Sequence, residues 1–102
     1  MKNKIYSLLG FAARSNSLVF GKERIRGYIR SNREKKLVII ATNASERIKR
    51  DIKTRCESFG VKAIEIFTKE ELGKLIGKEE ITAFGIENDG IIDGILKNLG
   101  GK

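Results

Sequence analysis

The side chains best placed to do chemistry in this sequence are cations gathered behind a glycine. Residues 21–36 hold seven basic groups (Lys22, Arg24, Arg26, Arg30, Arg33, Lys35 and Lys36) against only Glu23 and Glu34. That window carries +5 of the chain's net charge of +8. Gly21 stands near its head, where the short apolar run Leu18-Val19-Phe20 gives way to a helix. The first N–H groups of a helix lack partners within it and lie at the positive end of its dipole, so such a start holds phosphate. A glycine there lets another backbone come close. Arg24, Arg26 and Arg30 supply planar guanidinium groups that pair with phosphate or read a purine edge. The same residues also suit a plain strand-to-helix turn with a solvated basic face. Both readings stand at this level.

The missing residue types remove most other chemistry. There is no histidine, which excludes Ser-His-Asp catalysis, imidazole general-base work and His-ligated zinc. Cys56 is the single cysteine, so no intrachain disulfide or Cys-rich metal site exists. Its place on an apolar helical stripe predicts an inert core thiol, and an unpaired thiol suits the cytoplasm. Gly21 to Gly27 lacks the spacing of a nucleotide-binding P-loop. Ile40-Ala41-Thr42 lacks the aspartate of a phospho-receiver strand. The two Tyr and five Phe are too scattered for a stacking platform, and Tyr28 reads as core. No catalytic residue, metal or cofactor is therefore expected. With 21 Lys and Arg against 13 Asp and Glu, nucleic acid is the leading partner class. No apolar run is long enough to suggest a membrane partner.

The elements that must position the basic cluster follow from periodicity. Ile5, Leu8, Leu9 and Ala12 share one face of a helix over residues 3–14. Residues 18–20 form a very short strand, and a helix over 22–32 turns Ile25, Tyr28 and Ile29 inward. The unbroken run Leu37-Val38-Ile39-Ile40-Ala41 suits a central strand covered on both faces. Asn43 and Glu46 read as a capping box before a helix whose stripe is Ile48, Ile52, Cys56 and Phe59, stopped by Gly60. A strand over 63–67 precedes a second cap at Thr68, a short helix stopped by Gly77, and a last strand over 81–86. Asn88 or Asp89 then caps a helix with the stripe Ile91, Ile92, Ile95, Leu96 and Leu99. Helices alternating with strands predict an α/β protein, a three-layer α/β/α sandwich around a four-stranded mixed, largely parallel sheet. The 102 residues form one domain, expected to be monomeric, with residues 100–102 frayed.

Several segments in this order resemble the kink-turn RNA-binding ribosomal-protein family, that of archaeal L-seven-Ae and eukaryotic L-thirty. They are Gly10-Phe11-Ala12-Ala13-Arg14, Leu18-Val19-Phe20-Gly21, Lys36 to Ala41, and Leu72-Gly73-Lys74-Leu75-Ile76-Gly77. The opening segment is similar to the family's bacterial YlxQ-type members. The resemblance implies a non-enzymatic protein that binds structured RNA, ribosomal or otherwise, through the start of the second helix and the loop before the last strand. Ribosomal or transcription proteins are the further partners it implies. An alternative is a basic protein-interaction module of such complexes that has lost kink-turn reading. The matched RNA-contact positions are Gly21, Lys22, Glu23 and Arg24 with Arg26 and Arg30 beyond them, then Lys78 and Ile81 in the loop. The family places Asn and Glu where this chain has Glu23 and Arg24, and Lys where it has Gly27. Hydrogen-bond polarity is thereby altered while backbone binding is not. Ile81 reads equally as a contact to an extruded base or as the first residue of a buried strand.

Overall fold

A computed structural model describes residues 2–100. The expected alternation is present among them: α1 (Lys2–Arg14), β1 (Leu18–Val19), α2 (Lys22–Arg30), β2 (Leu37–Ile40), α3 (Glu46–Ser58), β3 (Lys62–Glu65), α4 (Lys69–Leu75), β4 (Ala83–Ile86) and α5 (Asp89–Gly100). The strands form one sheet in the order β1-β4-β2-β3. β2 lies inside it and is buried along its whole length, as its unbroken apolar run requires. β1, β2 and β3 point one way and β4 points against them. Only the β2–β3 ladder is parallel, whereas β4 pairs antiparallel with both β1 and β2. The sheet is thus largely parallel in strand direction but not in its hydrogen bonding. Among the helices, α1 packs on α4 and α5, and α2 packs on α3.

Local chemistry explains where the helices start. Thr68 and Glu71 form the full capping box expected at α4. Asn88 rather than Asp89 caps α5, its side chain accepting from the Ile91 amide at 3.0 Å. The cap of α3 differs from expectation. Ser45 accepts from the Ile48 amide at 3.2 Å, while Asn43 reaches across to accept from the Lys69 amide at 2.8 Å. Asn43 therefore ties α4 to the β2–α3 turn instead of capping its own helix. The predicted α3 stripe is also only partly inward: Cys56 is buried, but Ile48 and Phe59 are exposed. The last strand starts at Ala83, so Ile81 lies in the preceding loop and is not a strand residue. Of the tail expected to fray, Gly100 ends α5 and residues 101 and 102 lie outside those described.

Tyr28 fixes α2 to the sheet, in accord with its reading as core. It is 4% exposed. Its hydroxyl donates to the Ile86 carbonyl of β4 and accepts from the Leu37 amide of β2 at 2.8 Å. Burial raises the phenol above its ordinary pKa, so the donor proton is retained. Gly85 makes room for the ring: a Cβ there would stand 2.6 Å from Tyr28 Cδ2. Tyr28→Phe leaves the buried Leu37 amide without its acceptor, so it should lower unfolding stability by about 1–3 kcal/mol. A urea titration checks this through a lower midpoint at unchanged slope. Burial likewise pushes the Cys56 thiol up to about 11. Native protein at pH 8 should therefore resist iodoacetamide, with labelling appearing only across the unfolding transition.

Candidate nucleic-acid interface

The candidate interface begins at Gly21, whose φ of 94° and ψ of 143° belong to a region that side-chain-bearing residues avoid. Nothing stands within 4 Å of the place a Cβ would take, so the glycine serves the backbone turn and leaves open space before it. α2 starts immediately afterwards with no side-chain cap on its first amides. Beside it lies a groove of about 920 Å³. Phe20 lines it at β1, Lys22 and Arg26 on α2, Arg47 and Arg50 on α3, and Ile81 on the loop before β4.

Ion pairing decides which cations this groove offers. Arg26 is held by Glu23 at 3.7 Å and reaches toward Asp51 at 4.0 Å, which makes it a strut between α2 and α3. Its Nε is buried without a hydrogen-bond partner. Arg33 pairs with Asp89 and Lys35 with Asp93, both at 2.6 Å, tying the turn after α2 to α5. Lys36 donates to the Ile29 and Ser31 carbonyls and closes the end of α2. Four of the seven cations in the basic window are thus engaged within the fold. On α3, Lys53 and Lys49 hold Glu65 and keep its carboxyl below the usual carboxylate pKa, and Arg55 pairs with Asp51. Lys22, Arg24 and Arg30 on α2, with Arg47 and Arg50 on α3, have no carboxylate partner among the described residues, and of these Lys22, Arg47 and Arg50 line the groove.

The expected site residues divide accordingly. Gly21, Lys22, Arg26 and Ile81 come together in the groove. Glu23, Arg24 and Arg30 are exposed on α2 but lie outside its lining, and Lys78 lines a separate pocket across the loop. Arg47 and Arg50 were missed from sequence. The signal available was the net +2 of residues 45–58, one helix with no glycine at its head to draw attention.

Residues 3–92 match the ribosomal protein L7Ae/L30e/S12e/Gadd45 family. The chain belongs to that family. An RNA-binding protein YlxQ of Enterococcus faecium is 34% identical over 89 residues, covering 87% of this chain and 84% of that protein. The YlxQ of Bacillus subtilis (strain 168) is 27% identical over 94 residues, covering 92% and 93%. Among solved structures, a protein of unknown function from Bacillus halodurans C superimposes with a TM-score of 0.85 at 28% identity, covering 95% of this chain and 97% of that one. The 15.5kD RNA binding protein of Giardia lamblia shares the fold, with a TM-score of 0.74 at 23% identity over 98% and 85% of the two chains. Among the described residues of this family member, no helix is long and apolar enough to cross a membrane, and no cluster of His, Cys, Asp or Glu is suited to a metal ion.

The loop carrying Ile81 is strapped to α4. The Lys78 amide donates to the Gly73 carbonyl at 2.9 Å, and the Ile81 amide to the Lys69 carbonyl at 3.0 Å. Lys69 also pairs with Glu80 at 3.3 Å, which neutralises one of the two acids in the loop. Tyr6 donates to the Glu71 carbonyl at 2.7 Å and so fixes α4 itself to α1. Gly73 allows the close approach: a Cβ there would stand 2.6 Å from the Lys78 carbonyl oxygen and 2.8 Å from Glu79 backbone atoms. Gly73→Ala gains up to about 1 kcal/mol of helix propensity. The backbone clash should outweigh that gain and push the loop away from α4. Amide exchange at Lys78 and Ile81 should then accelerate selectively, measurable by hydrogen–deuterium exchange with NMR detection.

Proposed function

We propose that this protein is a non-enzymatic, ribosomal-protein-like RNA-binding protein whose groove between α2, α3 and loop 77–81 holds a bent duplex of the kink-turn type. One observation carries the reading: Lys22, Arg47 and Arg50 line a single groove from two helices, beside an uncapped helix start, with no carboxylate engaging them among the described residues. Cations free of internal partners are those that exchange counterions with a phosphate backbone. A bent duplex brings phosphates of both strands toward one basin, which suits walls contributed by separate helices. The names of the YlxQ relatives agree with this role.

Base reading would fall to the exposed start of α2. Glu23 can accept from guanine N1 and N2, and Arg24 can donate to O6, N7 or phosphate. Ile81, half-buried on the groove, offers an apolar surface to an unstacked base. The contact of Glu23 with Arg26 favours the second reading, a basic surface for a protein of the ribosome or transcription machinery, because it engages a carboxylate that base reading needs.

Titration with a kink-turn duplex and with a matched duplex lacking bulge and G·A pairs tests both. The kinked RNA should bind about tenfold or more tightly, a difference of about 1.4 kcal/mol. Arg47→Ala and Arg50→Ala should each weaken binding and reduce the slope of log K against log salt by about 0.7–0.9, while Lys97→Ala on α5 should not. Equal affinity for the two duplexes would leave only electrostatic binding. Failure to bind either, with a partner captured after ribonuclease treatment, would favour the protein-interaction reading.

A further inference from the structure

Loop 77–81 has a second side. Lys78, expected at the groove, instead lines a pocket of about 380 Å³ between the loop and the C-terminal end of α1. Its apolar walls are Leu18, Leu75 and Ile76, and Arg14 contributes a second cation. Phe20 lines both this pocket and the groove, so the two are neighbours across one ring. The groove lining includes Asp51 and Glu80, whereas this pocket's lining has no carboxylate. Neither Arg14 nor Lys78 has an ion-pair partner among the described residues.

Arg14 is also held in place. Its guanidinium carbon stands 5.8 Å from the centre of the Phe11 ring, which is 60% exposed. A cation over an aromatic face is a recognised favourable contact. The helix dipole accounts for a basic residue at the end of α1, but not for a lysine from another element lining the same pocket. Two unpaired cations, apolar walls and no acid form the chemistry of a nucleotide subsite, with phosphate held by the cations and a base against the walls. The volume lies at the small end of ligand pockets, which span about 300–1,000 Å³.

We propose that this pocket is a second RNA contact, taking one unpaired nucleotide of a strand that leaves the groove past loop 77–81. Its phosphate lies between Arg14 and Lys78, and its base rests on Leu18, Leu75 and Ile76. Phe11 is the positioning residue for Arg14. The proposal rests on the RNA-binding role of the groove. Continuity with that groove and the absence of acid select RNA over a protein segment as the occupant.

Fluorescence anisotropy with a blunt kink-turn duplex, and with the same duplex carrying a short single-stranded extension at each end in turn, provides the test. One extension should raise wild-type affinity about five- to tenfold, a gain of about 1.0–1.4 kcal/mol. It should also steepen the salt slope by about 0.7 for each added phosphate contact. Arg14→Ala/Lys78→Ala should bind that extended RNA no better than it binds the blunt one. Phe11→Ala should lose part of the gain, and Lys97→Ala none. All four side chains are exposed, and circular dichroism confirms folding of each variant. A wild type indifferent to every extension overturns the proposal, as does a double variant that keeps the full gain. Wild-type failure to bind the blunt duplex instead brings down the groove reading, and this one with it.

Discussion

Tyr28 occupies the space that a side chain at residue 85 would fill, and its hydroxyl joins a carbonyl of β4 to an amide of β2. Those two strands are the inner pair of the sheet, so α2 is referenced to its most buried part. The helix consequently starts at a fixed height beside β1, and its first residue, Lys22, lines the groove. The other wall is set through Arg26, which reaches from α2 toward Asp51 on α3. A residue expected to contact RNA thus helps to build the basin. Its buried, unpartnered Nε shows that this strut is not fully satisfied within the fold.

Net charge and usable charge differ in this protein. Carboxylates on α5, β3 and α3 engage Arg33, Lys35, Lys49, Lys53 and Arg55, which leaves fewer cations for a ligand than the composition suggests. Exposed pairs of this kind add little stability. Their effect here is on which cations are left unpaired: Arg33 and Lys35 are taken up by α5, and Lys49 and Lys53 by β3. Lys22, Arg47 and Arg50 combine a place in the groove lining with the lack of a carboxylate partner among the described residues.

The loop before β4 follows the same logic with different means. Gly73 lets backbone meet backbone, and two amide hydrogen bonds then hold the segment that presents Ile81 on one side and Lys78 on the other. A loop held by main-chain bonds to a helix, itself tied to α1 by Tyr6, provides a firmer recognition edge than a free one.

The order and type of every element were legible in the amino-acid sequence, because apolar spacing and glycine stops are local signals. So was the core role of Tyr28, read from its place between Ile25 and Ile29. Caps were harder: Asn43 and Ser45 both suit an α3 cap, and the choice depended on a distant amide at Lys69. Ile81 was ambiguous because strand length is decided by pairing rather than by propensity. Local signals along the chain were enough to specify the elements, the buried central strand and the basic excess behind Gly21. Which cations line the groove depends on how the elements pack, since an ion pair such as Arg33 with Asp89 spans 56 positions and leaves no local trace. The same distance effect brought Arg47 and Arg50 to the groove and parted Lys78 from it.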